Sequence, residues 1–364
     1  MKEGFLMNIF TAVMLIFSVT GLIDKMFGSK MGLSQSFDKG LLTMGTMSAA
    51  LTGMSCVGVE FIQAHSGDII SAISVFPFDP SVLGGMLLAS DMGGYAISSQ
   101  LTMDGSMIVF NGIILSSLFG QFVTFQLPVF KASSGDDGMS VVLKGFIIGI
   151  LVIPVVLFIS GILLRMAVTD ILIQLIPILI ICLLLAAGLI MKPQKTLKGF
   201  NVFVFITQFF VYLTFLITIM GVFIPQWSYV DVESVHEIAL IVLKSTIIVC
   251  GSIVMSELVL RFFRGRLQKI ASRLGINEVS MIAILLNCAT SLAILPLLPK
   301  MDKKGMMMNA AFSVSGPYFL GGQLGFVSSV VPSSDVTVYF IAKIICGFSS
   351  MLLVYIFYDK LSSF

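Results

Sequence analysis

With 364 residues, 57% hydrophobic and 11% charged, and a mean hydropathy of +1.06, the chain lies far from the composition of a soluble globular domain. A net charge of +2, with no basic block beside interleaved aromatics, is too small to argue for nucleic acid or an acidic substrate, and no nucleic-acid partner is expected. Apolar runs of at least ~18 residues recur along the whole length, each able to cross a hydrocarbon core of about 30 Å, and leave no stretch for a soluble catalytic domain. The expected class is an all-α polytopic membrane protein. Cys56, Cys182, Cys250, Cys288 and Cys346 stand singly in apolar segments without C-x-x-C spacing, as small packing residues do.

In chain order, the first apolar run, 5–23, lacks an A-x-A-like cleavage site and a clearly basic start, so a retained helix is expected. Further spanning helices are expected over 40–62, 106–130, 141–164, 171–191, 199–224, 237–260, 305–330 and 336–358. Two apolar segments differ. The first, 80–101, carries Ser90-Asp91 and Gly93-Gly94 at its centre; the second, 279–299, carries Asn287, Thr290 and Ser291, then Pro296 and Pro299. A Gly pair costs a helix about 1 kcal/mol per residue, and loosened backbone survives at membrane depth only under cover of protein or water. Both segments are expected to be broken, re-entrant hairpins rather than full spans. The Arg-rich, amphipathic 262–275 is expected to lie on the cytoplasmic membrane surface.

An ungapped shift of 198 residues pairs Leu87-Leu88 with Leu285-Leu286, Met103-Asp104 with Met301-Asp302, Asn111 with Asn309 and Ser117 with Ser315. It also superimposes the hydrophobic spans. Two transmembrane repeats are therefore expected, 1–165 with hairpin 80–101 and 199–364 with hairpin 279–299, joined by a linker helix within 166–198. Lys and Arg in short loops mark the cytoplasmic side. Lys192, Lys195 and Lys198, then Arg261 to Arg273, then Lys300, Lys303 and Lys304 fall inside, as does Lys360. The loop with Trp227, Asp231, Glu233 and Glu237 falls outside. The matching first-repeat loops, with Glu60, His65, Asp68, Asp79 and Asp104, hold no Lys or Arg and also fall outside. Opposite charge bias at equivalent loops is the signature of an inverted repeat, here with nine spans and an outside N-terminus.

Asp91 is the sharpest chemical candidate. A carboxylate at the bilayer centre costs about 2.5–3.5 kcal/mol on insertion scales and faces a cavity, a partner or a ligand. It reads either as a group that pairs a cationic substrate or accepts a coupling proton, or as a structural acid capping a half-helix. Ser90 and the Gly93-Gly94 backbone would add polar contacts, Asn287, Thr290 and Ser291 offer neutral donors and acceptors at equivalent depth, and Gln323, in the interruption Gly321-Gly322-Gln323, would line the same cavity. Glu257 and Arg261, spaced i, i+4, read as an interfacial ion pair. No second mid-membrane Asp accompanies Asp91, as an aspartyl protease requires. Ser315 has no general base, with His65 and His236 both expected in loops, and no cluster has metal-ligand spacing. An enzyme, a metal site and a cofactor are not expected.

Asp79-Pro80-Ser81 followed by Leu87-Leu88-Ala89-Ser90-Asp91-Met92-Gly93-Gly94-Tyr95 resembles the hallmark stretch of the EutH-type ethanolamine permeases. A second match covers Met301-Asp302, Gly305, Asn309, Ala311-Phe312, Val314-Ser315 and Leu320-Gly321 through Leu324-Gly325-Phe326, and a softer one Asp38-Lys39-Gly40, Met44-Gly45 and Gly53-Met54. The matches run in order over nearly the whole chain. The resemblance implies ethanolamine uptake across a bacterial cytoplasmic membrane, Asp91 taking the ammonium and a Thr, Ser or Asn the hydroxyl. Where that family reads Gly-Asp-His-Leu-Gly-Phe, this chain has Gly321-Gly322-Gln323-Leu324-Gly325-Phe326, and where the family has an Asn pair it has Thr290-Ser291. The expected function is transport of ethanolamine or a closely related amine. The alternative is a secondary transporter of a small carboxylate or other anion coupled to H⁺ or Na⁺. The expected partners are the substrate and the lipid bilayer; a homo-oligomer is left open.

Overall fold

The computed structural model describes residues 9–127, 130, 136–224, 230 and 232–362, and all regular structure among them is helical. The expected start of the first helix at 5–8, and Trp227 and Asp231 of the expected outer loop, lie outside the described residues. The elements in order are α1 (Ile9–Met26), α2 (Ser34–Gly53), α3 (Val59–Ile73), α4 (Val82–Leu87), α5 (Gly94–Leu101), α6 (Gly105–Gln126), α7 (Asp136–Leu163) and α8 (Val168–Met191). They continue with α9 (Pro193–Phe223), α10 (Val232–Leu274), α11 (Glu278–Ala289), α12 (Lys303–Ser315), α13 (Gly322–Val330) and α14 (Ser333–Ser362). Seven helices among the described residues are long and apolar enough to cross a membrane.

The centre of the bundle is α6. Phe110, Ile113, Ile114, Leu115, Leu118 and Phe122 on it are fully buried. From Ile108 to Gly120 it winds in wide, π-type turns. Such turns loosen the carbonyl ladder and are frequent at functional sites. Two of its carbonyls accept side chains from elsewhere: Ser117 O from Lys343 at 2.9 Å and Leu118 O from Ser315 Oγ at 3.1 Å. On α7, Gly145 and Gly149 share one helix face and admit α12 closely. A Cβ at Gly145 would lie 2.4 Å from Met307 O, and one at Gly149 2.8 Å from Ala311 O. Small residues four apart let helix backbones approach in membranes, where no hydrophobic force drives helices together. The outer helices α8 and α9 do the opposite and turn Leu172, Leu183, Ile190, Phe205, Phe209 and Phe223 outward.

Both irregular segments are hairpins. In the first, Thr102 Oγ1 donates to Asp79 Oδ2 at 2.9 Å and Ser98 Oγ to Ser81 O at 2.8 Å, so the chain returns to the side from which it came. In the second, Asn277 Nδ2 donates to Lys300 O at 2.9 Å and Asn277 N to Asp302 Oδ1 at 2.8 Å, closing α11 against the 3₁₀ stretch Ser291–Lys300. The acid following each hairpin then caps the next helix: Asp104 accepts from Ser106 N, and Asp302 from Gly305 N. Asn111 and Asn309, one turn further on, each donate back to a serine of the preceding hairpin, Ser81 and Ser280.

Four expectations need correction. The span expected over 40–62 is longer and interrupted, α2 passing through a wide turn at Met54–Gly58 into α3. The span expected over 305–330 is two helices, because the chain leaves helical geometry at Gly316 and resumes it at Gly322. The segment 262–275 does not lie apart on the membrane surface; it continues α10 as one helix of 43 residues, and no Pro or Gly pair stops it before Gly275 turns at φ +68°. At 1.5 Å per residue that helix measures about 65 Å, twice the hydrocarbon thickness. His65 and His236 sit on α3 and α10 rather than in loops, both exposed. The Glu257–Arg261 pair forms at 2.6 Å, and Arg261 also donates to Met31 O and Gly32 O, fixing the turn between α1 and α2.

Asp302 accepts from Asn277 N, Ser280 Oγ and Gly305 N, so Asp302→Ala opens one hairpin and uncaps one helix together. The expected loss is about 1–3 kcal/mol, read as a lower Tm in detergent.

Candidate functional site

The first hairpin breaks earlier than its glycines. Leu88 (φ −135°, ψ 150°) and Ala89 (φ −64°, ψ 153°) are extended, Ser90–Met92 form one 3₁₀ turn, and Gly93 at φ +110° restarts the helix as α5. That φ excludes other residues at low cost. Gly94 is required by space, since a Cβ there would meet Ser116 Oγ at 2.1 Å and Leu88 O at 2.6 Å. The freed Leu88 carbonyl accepts from Ser116 Oγ at 2.6 Å.

The Asp91 side chain stands in this break, partly accessible, while Ser90, Gly93 and Gly94 around it are buried. Its side-chain partner is neutral: Gln323 Nε2, in the first turn of α13, donates to Asp91 Oδ1 at 3.4 Å. No cation lies within ion-pair distance of Asp91 among the described residues. Two buried oxygens, Ser90 Oγ next to it in the chain and Gln323 Oε1, have no hydrogen-bond partner among the described residues. A carboxylate with one long neutral contact and two orphaned oxygens nearby makes a polar site whose hydrogen-bonding capacity is not used by the protein.

The second hairpin breaks at Thr290, extended at φ −160° and ψ 130°. Thr290 Oγ1 accepts from Leu292 N at 3.3 Å, and Ser291 Oγ is hydrogen-bonded to Tyr318 OH at 2.6 Å. Tyr318 belongs to the third break, between α12 and α13, and holds φ +66°, a strained value for a bulky residue. Its carbonyl accepts from Tyr339 OH at 3.2 Å. The second and third breaks cover one another: Leu320 N donates to Cys288 O at 3.2 Å, and a Cβ on Gly321 would lie 2.0 Å from Ala289 O.

Of the residues singled out in sequence, Asp91, Ser90, Gly93 and Gly94 form one wall, Gln323 touches that wall, and Ser291 with Thr290 joins through Tyr318. Asn287 is turned away. Its Nδ2 donates to Ser313 Oγ on α12 at 2.6 Å, although its Oδ1 has no partner. Three residues were missed: Tyr318, Tyr339 and Lys343. Lys343 lies midway along the apolar α14 with no exposed surface, bonded to Ser117 O and Gln121 Oε1. It could have been found, because a lysine inside an apolar span is by itself a functional signal. The grooves on the outside of the bundle, one lined by Phe205, Phe209, Tyr212 and Leu216 and one by Met86, Leu87, Phe119 and Phe203, carry no charge.

A bundle of apolar helices enclosing paired broken hairpins and a mid-protein carboxylate has the architecture of a multi-pass membrane protein. Residues 6–357 match the family described as Ethanolamine utilisation protein, EutH, and the chain belongs to it. Relatives named "Probable ethanolamine permease EutH" include one from Listeria monocytogenes, 29% identical over 87% of this chain and 85% of its own length. Those of Salmonella typhimurium and Escherichia coli are 25% and 26% identical, each over 89% of this chain and 88% of theirs. No solved structure matches the chain. With these bacterial permease relatives, the apolar helices make it a multi-pass protein of the cytoplasmic membrane.

Close approach at Gly94 gives a test of the first hairpin. Gly94→Ala is expected to lower Tm by overpacking worth about 1–3 kcal/mol. Gly45→Ala, on α2 with nothing within 4 Å of the added Cβ, is expected to be neutral or stabilising by up to about 1 kcal/mol.

Proposed function

We propose that the chain carries ethanolamine, or a closely related small amine, across the cytoplasmic membrane, with the substrate ammonium paired to Asp91. The observation that carries this reading is the carboxylate in the first hairpin break, contacted by Gln323 at 3.4 Å and by no protein cation at ion-pair distance among the described residues. An ammonium entering there gains a charge-assisted hydrogen bond of about 2.7–2.9 Å to a carboxylate that has no ion-pair partner among the described residues. Ser90 Oγ and Gln323 Oε1, without protein partners, suit the other N–H groups of the ammonium, and Thr290 and Ser291 suit the hydroxyl. Gly93 and Gly94 let the backbone reach the ligand. The family's substrate name supports the same ligand. An anion is less well served: Lys343, inside the bundle, is fully buried and spends donors on Ser117 O and Gln121 Oε1.

The equivalences around the two hairpins, with Asp104 and Asp302 as caps and Asn111 and Asn309 as ties, favour two inverted repeats over 1–165 and 199–364 joined by the helix within 166–198. Alternating access then arises as one hairpin bundle rocks against the other around Asp91.

Asp91→Asn keeps shape and loses charge. Uptake and binding of ethanolamine are expected to fall by about 2–5 kcal/mol, with membrane abundance unchanged. Undiminished uptake would remove Asp91 from the site. Amines, not acetate, are expected to compete. Single thiols near Asp104 and near Lys303, placed in a chain whose five native cysteines are buried, are expected to label from opposite membrane faces. Labelling from one face would overturn the inverted arrangement.

A further inference from the structure

Lys343 has no role in the site as derived so far, and its surroundings do not suit a merely structural lysine. Its ammonium is wholly buried, and its acceptors, Ser117 O at 2.9 Å and Gln121 Oε1, are both neutral. The third N–H has no acceptor among the described residues. One turn back on α14, the Tyr339 ring centroid lies 5.9 Å from Nζ, and Cys346 lies one turn ahead. A buried ammonium persists only where charge elsewhere compensates it. Ser117, whose carbonyl holds Lys343, adjoins Ser116, whose Oγ seals the Leu88 carbonyl of the hairpin that carries Asp91, and Tyr339 OH donates to Tyr318 O in the third break, so the lysine is anchored against the Asp91 hairpin. Asp91 and Lys343 do not close into an ion pair. They come from opposite halves of the chain, and α6 anchors the lysine through Ser117 O and Gln121 Oε1.

We propose that Lys343 is a tethered counter-cation for Asp91: it balances the carboxylate across the interior when no amine is bound, and its repulsion lowers the affinity for a bound ammonium enough to let it leave. This rests on Asp91 as the ammonium site. Lys343 is thus a specificity-determining residue that acts through Asp91 without touching substrate. Charges separated by protein interior interact far more strongly than in water, so the repulsion reaches a ligand that Lys343 does not contact. Without Lys343 the site becomes a stronger cation trap, with tighter binding and slower release.

The test uses the full-length protein purified in detergent, wild type, Lys343→Met, Asp91→Asn and the double variant, with ethanolamine as probe for calorimetry and thermal unfolding without ligand alongside. Lys343→Met keeps the apolar stem and is expected to bind ethanolamine on the order of tenfold tighter while its maximal uptake rate falls, so that KM and turnover drop together. The Tm loss caused by Lys343→Met is expected to shrink when Asp91 is already Asn, since the balanced charge is gone. Unchanged or weaker binding by a folded Lys343→Met, or Tm losses that simply add, overturns the proposal. If Lys343→Met is not recovered, Gln121→Glu gives the lysine its own carboxylate, and the same tightening of ethanolamine binding is expected; its absence is equally decisive. A wild-type protein that binds no ethanolamine defeats the substrate reading alone, because the thermal coupling of Asp91 and Lys343 is read without ligand.

Discussion

Backbone freed from a helix at membrane depth has no water to turn to, and each unsatisfied group there costs several kcal/mol, so every break in this bundle must be sealed by protein. That constraint organises the centre of the molecule. The Leu88 carbonyl of the first hairpin is sealed by Ser116 on α6, and the Cys288 carbonyl of the second by Leu320 N from the third break. Because the seals are short, the sealing elements must press against the breaks without side chains between, which is what Gly94 and Gly321 permit. The same pressing brings Asp91 to Gln323 and Ser291 to Tyr318. The polar cluster is therefore a by-product of satisfying backbone, and its side chains need only be chosen for chemistry.

That choice is mostly of neutral groups. Gln323 donates to Asp91 without cancelling its charge, where a lysine or arginine would close a permanent pair and leave nothing for a cation to bind. The lysine in the interior, Lys343, donates to α6, whose wide turns present Ser117 O to it. Tyr318 joins the pieces, hydrogen-bonding the second hairpin through its hydroxyl and α14 through its carbonyl. Its positive φ places the strain of the arrangement at the junction of the second hairpin, α13 and α14.

Membership of the EutH family and likeness to permeases at 25–29% identity leave room for the departures at Thr290-Ser291 and Gly322-Gln323. Both fall on the second and third breaks, whereas the Asp91 wall keeps its resemblance to the family's hallmark stretch.

The chain's own sequence determined the class and the location of the chemistry. Hydrophobic length dictates spanning helices whatever their packing, and a carboxylate beside a Gly pair in an apolar run announces a covered break. Both hairpins were legible for that reason, as was the Glu257–Arg261 pair, which needs only helical spacing. Contacts between distant segments were not legible. Nothing local says that Gln323 meets Asp91, that Asn287 turns instead to Ser313, or that Lys343 reaches across to Ser117, because each is fixed by where another helix happens to lie. The wide turns of α6 and the unbroken length of α10 were hidden likewise. Apolar residues fit α and π turns alike, and charged residues continue a helix into water as readily as they lie along a membrane. Tertiary packing alone decides between those states, since it alone supplies the partners that a loosened carbonyl or a buried charge must find.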